Sequence, residues 1–121
     1  MNSSWRQARS SCLDKVMNYL FKDQDGEIIT GEITYLHITP FYEFEIEIDE
    51  CRLSCYLDHL LSSWHLCIAG CDIDVELADP EDVSYNAEAI HDKIGDGDAS
   101  LMIAYAVKTV YLEKDYSRDV L

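Results

Sequence analysis

Residues 42–49 read Tyr-Glu-Phe-Glu-Ile-Glu-Ile-Asp, an unbroken alternation of apolar side chains with carboxylates. Successive side chains on a β-strand point to opposite faces, so the segment sorts itself onto two surfaces. Phe44, Ile46 and Ile48 face one way. Glu43, Glu45, Glu47 and Asp49 face the other. Such a strand needs a core on one side and solvent on the other.

The pattern returns at 71–77, where Cys71, Ile73, Val75 and Leu77 form one face and Asp72, Asp74 and Glu76 the other. Carboxylates on one strand face recur every ~6.8 Å. That is inside a Debye length of ~10 Å at 0.1 M salt, so they repel one another. Ordinary sheet surfaces interleave Lys or Thr to relieve this. Seven acids on two strands with no base among them mark a docking surface for a basic partner. The plainer alternative is a solvated face that discourages edge-to-edge aggregation.

The charge of the whole chain points the same way. Net charge is −15, from 24 acids against nine bases. Eighteen acids and a single base, Arg52, lie between Asp23 and Asp92. The remaining bases sit towards the ends: Arg6, Arg9, Lys15 and Lys22, then Lys93, Lys108, Lys114 and Arg118. Such a field repels nucleic acid and anionic membrane. It attracts basic proteins and speeds their encounter.

A chain of 121 residues that is 48% apolar suits one domain with one core. Residues 4–22 read as an amphipathic helix, capped by Ser3 or Ser4, with Trp5, Ala8, Cys12, Val16, Tyr19 and Leu20 at helical spacing. Asp23-Gln24-Asp25-Gly26 stops it. Residues 27–38 read as a strand that Pro40 ends. Residues 50–63 read as a helix, with Leu53, Tyr56, Leu57, Leu60, Leu61 and Trp64 in one stripe. Residues 65–77 read as one strand, bent at Gly70.

Asp79-Pro80-Glu81-Asp82 opens a helix with its stripe at Val83, Ala87, Ile90 and Ile94 and its stop at Gly95. Asp98 caps a last helix over about 99–114. Its run Leu101–Val107 is apolar all round and would also suit a buried strand, but Ala and Met favour helix. The expected fold class is α+β: a small, mainly antiparallel sheet of about three strands with three to four helices, in the order α-β-β-α-β-α-α.

Three groupings bear on chemistry. Phe21 to Glu32 resembles an EF-hand calcium loop, with Asp23, Asp25, Gly26, Ile28 and Glu32 in register. Phe21 stands at the first ligand position, and no exit helix follows. Asp92 to Ile103 is a poorer match. Cys51, Cys55 and His59 fall at i, i+4 and i+8 of the expected helix, with Cys67 and Cys71 nearby, but the spacing is not that of a zinc knuckle. Packing residues are the favoured reading, and no cofactor or metal is expected. Four histidines accompany no nucleophile elbow, P-loop or dinucleotide fingerprint, so no catalytic residues are expected.

Five cysteines, an odd number, with no signal peptide, point to reduced thiols and a cytoplasmic protein. No apolar run reaches the ~18 residues that span a bilayer. The sequence thus predicts a non-enzymatic acidic protein, monomeric or homodimeric. It would inhibit or sequester a basic protein, such as a nuclease or other DNA-binding protein. Glu43, Glu45, Glu47, Asp49, Asp72, Asp74 and Glu76 would meet the partner, with Tyr42 or Tyr56 as an anchor. The alternatives are an acidic chaperone or adaptor for a secreted client, and a calcium- or zinc-binding protein.

Overall fold

A computed structural model describes residues 17–37, 41–48, 50–69 and 72–120. Six strands follow one another: β1 (Met17–Lys22), β2 (Ile28–His37), β3 (Tyr42–Ile48), β4 (Cys51–Leu60), β5 (Ser63–Ala69) and β6 (Ile73–Leu77). Two helices close the chain, α1 (Val83–Ile94) and α2 (Gly97–Val120). The strands form a single antiparallel sheet in sequence order, each paired with the next.

This overturns the expected three strands with three to four helices. Met17–Lys22 is a strand and not the end of a helix; Met1–Val16 lie outside the described residues. Met17, Tyr19 and Phe21 alternate with Asn18, Leu20 and Lys22, and Tyr19 and Phe21 are buried. Residues 50–63 are no helix either, but β4 and a hairpin turn. In β4, Leu53, Cys55 and Leu57 turn inward while Arg52, Ser54, Tyr56 and Asp58 turn outward. The segment 65–77 is two strands, β5 and β6, rather than one; Gly70, where a bend was expected, lies outside the described residues.

The inward side chains of every strand meet one layer of helix. Tyr19, Phe21, Ile33, Phe44, Ile46, Cys55, Leu57, Leu66, Val75 and Leu77 pack with Ile90, Ile103, Val107 and Val110. Helix α2 lies against β1, β2 and β3, and α1 against β6 and α2. The run Leu101–Val107 is helical, and its small residues Ala104 and Ala106 are fully buried.

Helix α1 keeps the predicted stripe and the Gly95 stop (φ 74°), and of the four residues expected to open it the last, Asp82, is the cap. The Asp82 carboxylate accepts from the Tyr85 N–H at 3.2 Å. Buried Asn86 donates to the Asp79 carbonyl at 2.8 Å, which pins the entry loop. At α2 the capping side chain is Asp96, which accepts from the Ala99 N–H at 3.1 Å. Asp98, expected to cap, accepts instead from the Gln24 backbone and side chain, tying the first hairpin turn to the helix.

A hydrogen bond from β1 also joins the sheet to α2. The Tyr19 hydroxyl donates to the Met102 carbonyl at 3.0 Å. Burial, and then proximity to Cys55, pushes the Tyr19 phenol well above its usual range. A raised phenol contributes stability below its ordinary titration range and loses it as pH climbs beyond.

Candidate functional site

With both helices on one side of the sheet, no described element covers the other side. The outward residues of β3 are Glu43, Glu45 and Glu47; those of β6 are Asp74 and Glu76. Asp72 is exposed in the turn before β6, with φ 60°. Asp49 lies outside the described residues. Six of the seven expected partner-binding acids thus belong to one sheet surface or its rim. They do not merge into one patch, because β4 and β5 stand between β3 and β6. Three strand spacings separate the two acidic rows by about 14 Å.

The ladder shows what fills the gap. Glu43 is opposite Tyr56, Tyr56 opposite Cys67, and Cys67 opposite Asp74. In the next row Asp58 is opposite His65, and His65 opposite Glu76. Arg52 sits opposite Glu47 and reaches Glu45, with Nε to Oε1 at 3.9 Å. At that length and exposure the pair contributes under ~1 kcal/mol. His65 Nδ1 lies 3.9 Å from Asp74 Oδ1.

Two shallow hollows adjoin on this middle ground and share Tyr56, Cys67 and Asp74. One, of about 300 Å³, is lined by Phe41, Tyr56, Asp58, Leu60, His65, Cys67 and Asp74. The other, of about 320 Å³, reaches along β6 to Asp72 and Ile73. Neither was foreseen from the sequence, because residues 50–63 were expected to be helical. Tyr56 lies on this face, whereas Tyr42, the other proposed anchor, is core and packs with Trp64 and Tyr111.

Cys67 is partly buried in the hollow. Desolvation, then the Asp74 charge and its hydrogen bond, then Asp58, push its thiol above the ordinary range. The thiolate is the nucleophile, so this cysteine is disarmed. Alkylation with iodoacetamide near pH 8, followed by mass spectrometry, should label exposed Cys51 several-fold faster than Cys67. Asp74→Asn should speed Cys67 and leave Cys51 unchanged.

The metal alternatives meet contrary geometry. In the calcium-like segment the Asp23 Oδ1 already accepts from the Asp25 and Glu27 N–H groups at 3.0 and 2.8 Å. Phe21 is core, and Glu32 lies five residues beyond Glu27 along an extended strand, about 17 Å away. Cys51, Cys55 and His59 share the inward side of β4. Four residues of strand put each ~14 Å from the next, and Cys55 is fully buried. Among the described residues no three His, Cys, Asp or Glu side chains converge as metal ligands would.

From residue 15 to residue 115 the chain matches the Family of unknown function (DUF6618). It belongs to that family. The matched span takes in all six strands, so the acidic face and its hollows lie within it. No curated protein and no solved structure matches the chain. Among the described residues no helix is long and apolar enough to cross a membrane.

Proposed function

We propose that this chain is a non-enzymatic acidic binding protein that captures a basic protein through its helix-free sheet face. The partner class that fits is a nuclease or other nucleic-acid-binding protein, whose Lys and Arg residues ordinarily meet phosphate. One observation carries the reading: both alternating acidic runs emerge on the same uncovered surface, Glu43, Glu45 and Glu47 on β3 and Asp74 and Glu76 on β6. Each row repeats at ~6.8 Å and the rows are ~14 Å apart, with Arg52, Tyr56, Asp58, His65 and Cys67 on the ground between them. Two parallel lines of negative charge at that separation are comparable to phosphates flanking a major groove ~12 Å wide. A rigid sheet holds them without the entropy loss of ordering a flexible acidic tail.

The test is capture of the partner from a lysate at low salt, followed by a salt titration. Retention should fall steeply as salt rises. The triple change Glu43→Gln, Glu45→Gln and Glu47→Gln should weaken capture roughly 10- to 100-fold, since each exposed contact is worth up to ~1 kcal/mol. The same change should raise the melting temperature by relieving repulsion. Undiminished capture by the triple variant sinks the proposal.

The acidic-chaperone reading has narrower support. Leu20 and Ile28, 65% and 60% exposed, give the β1–β2 end of the sheet an apolar character suited to an extended client. A clean monomer by light scattering removes its dimeric form.

A further inference from the structure

The ground between the acidic rows has its own chemistry. Phe41 leans on Tyr56 with ring centroids 6.0 Å apart and planes at 47°. Together they form an aromatic wall of the 300 Å³ hollow, and Asp58 and Asp74 stand on its rim. The volume is at the small end of ligand sites, of the size for one side chain or a small ligand. An anion would meet two carboxylates and be repelled. A purely apolar group would desolvate them without recompense. A compact ammonium needs only the carboxylates and has little use for a flat wall. A guanidinium uses both: it stacks on aromatic faces and forks onto carboxylate oxygens.

A second, independent feature borders the hollow. The β4–β5 hairpin turns through Leu61 at φ 53° and Ser62 at φ 77°. Two-residue turns with both central residues at positive φ ask for Asn-Gly or Asp-Gly. A leucine held there is strained by ~1 kcal/mol or more, and strain of that kind points towards function. Leu61 is 97% exposed and its neighbour Leu60, which lines the hollow, is 50% exposed. The fold therefore presents two apolar side chains to water beside an aromatic and carboxylate depression.

We propose that this hollow receives one arginine side chain of the basic partner, its guanidinium stacked on Tyr56 and bonded to Asp58 or Asp74, while Leu60 and Leu61 seat an apolar residue next to that arginine. The inference rests on the capture reading above and names its central contact. Asp58 Oδ1 accepts from the His59 N–H at 2.9 Å, which holds that carboxylate in place and leaves its second oxygen for the guanidinium. The acidic rows on β3 and β6 then steer the approach, and the hollow supplies the desolvated anchor of the interface.

The test titrates isotope-labelled protein with blocked tetrapeptides Gly-Xaa-Leu-Gly, where Xaa is arginine, lysine or citrulline. The arginine peptide should shift the backbone amides of Tyr56, Cys67 and Asp74. Citrulline, equal in shape but neutral, should not, and lysine should bind at least about threefold more weakly. Asp74→Asn and Tyr56→Ala should each weaken the arginine peptide about tenfold, while Tyr56→Phe should keep it. Leu61→Asn with Ser62→Gly should weaken binding and raise the melting temperature, which separates a contact role from a folding role. The Glu43, Glu45 and Glu47 triple variant should weaken the peptide less than Asp74→Asn does, because those side chains act on it only through their charge and do not line the hollow. Equal binding of lysine and arginine, a citrulline peptide as good as arginine, or no localised shift overturns the inference. If the peptides fail while salt-sensitive capture persists and is lost in the triple variant, the hollow is refuted and the acidic-face reading stands.

Discussion

Phe44→Ala should lower stability by about 3–5 kcal/mol, the range for truncating a buried aromatic side chain in a packed core. Phe44 is fully buried on a central strand, paired with Leu36 on β2 and Cys55 on β4, in the stretch that α2 covers. Its loss removes the ring from the contact between sheet and helix and leaves a void that neither strand can close, since both are held in register on either side. Small domains hold only about 5–15 kcal/mol in total, so the variant should be close to the edge of folding. Urea denaturation followed by circular dichroism should show the midpoint falling sharply with an unchanged slope. Glu47→Ala, three residues along the same strand but on the open face, is the control and should move stability by under ~0.5 kcal/mol. A Phe44→Ala variant with a nearly parental midpoint would mean that the alternation in β3 does not sort a core from a surface.

That alternation is the part of the fold most plainly written in the chain. Residues 42–48 and 73–77 are strands with the faces their pattern assigns. Helix α1 follows from Pro80, the acids around it, a 3.6-residue stripe and Gly95. Residues 17–22 and 51–60 misled for a common reason. Short apolar runs fit both a period of two and a period of 3.6, and strand partners far along the chain decide between them. In β4 the leucines at 53, 57, 60 and 61 look helical, yet Cys51, Leu53, Cys55 and Leu57 alternate equally well with Arg52, Ser54, Tyr56 and Asp58.

What concealed the β4–β5 hairpin was its turn. Leu61-Ser62 carries neither Gly, Asn, Asp nor Pro, and serine is only a weak turn residue, so the two strands are poorly punctuated there. The hollow went with it, because Tyr56, Asp58, His65 and Cys67 come together only across that hairpin. The residue that breaks the local rule is also the most exposed large apolar side chain of the described surface. Local rules fail most often where a protein uses the position for something other than folding.

Gly31→Val should cost about 2–4 kcal/mol, combining an overpacked site with a lost hydrogen bond. Valine is ordinarily the better strand residue, so the sign depends on what lies above the glycine. Gly31 is the cross-strand partner of Tyr19, and the tyrosine ring lies over it. A Cβ at Gly31 would stand 2.6 Å from the Tyr19 Cζ and 2.8 Å from its hydroxyl oxygen, closer than real atoms approach. The ring would have to leave, taking with it the bond from its hydroxyl to the Met102 carbonyl that fastens β1 to α2. A double-mutant cycle isolates this cause. With Tyr19→Ala already in place, Gly31→Val should be neutral or mildly stabilising, because the space is free and a strand glycine is otherwise a liability. An interaction energy of ~2 kcal/mol or more assigns the glycine to the ring above it. Equal costs in the two backgrounds would show instead that the backbone at Gly31, and not Tyr19, requires glycine.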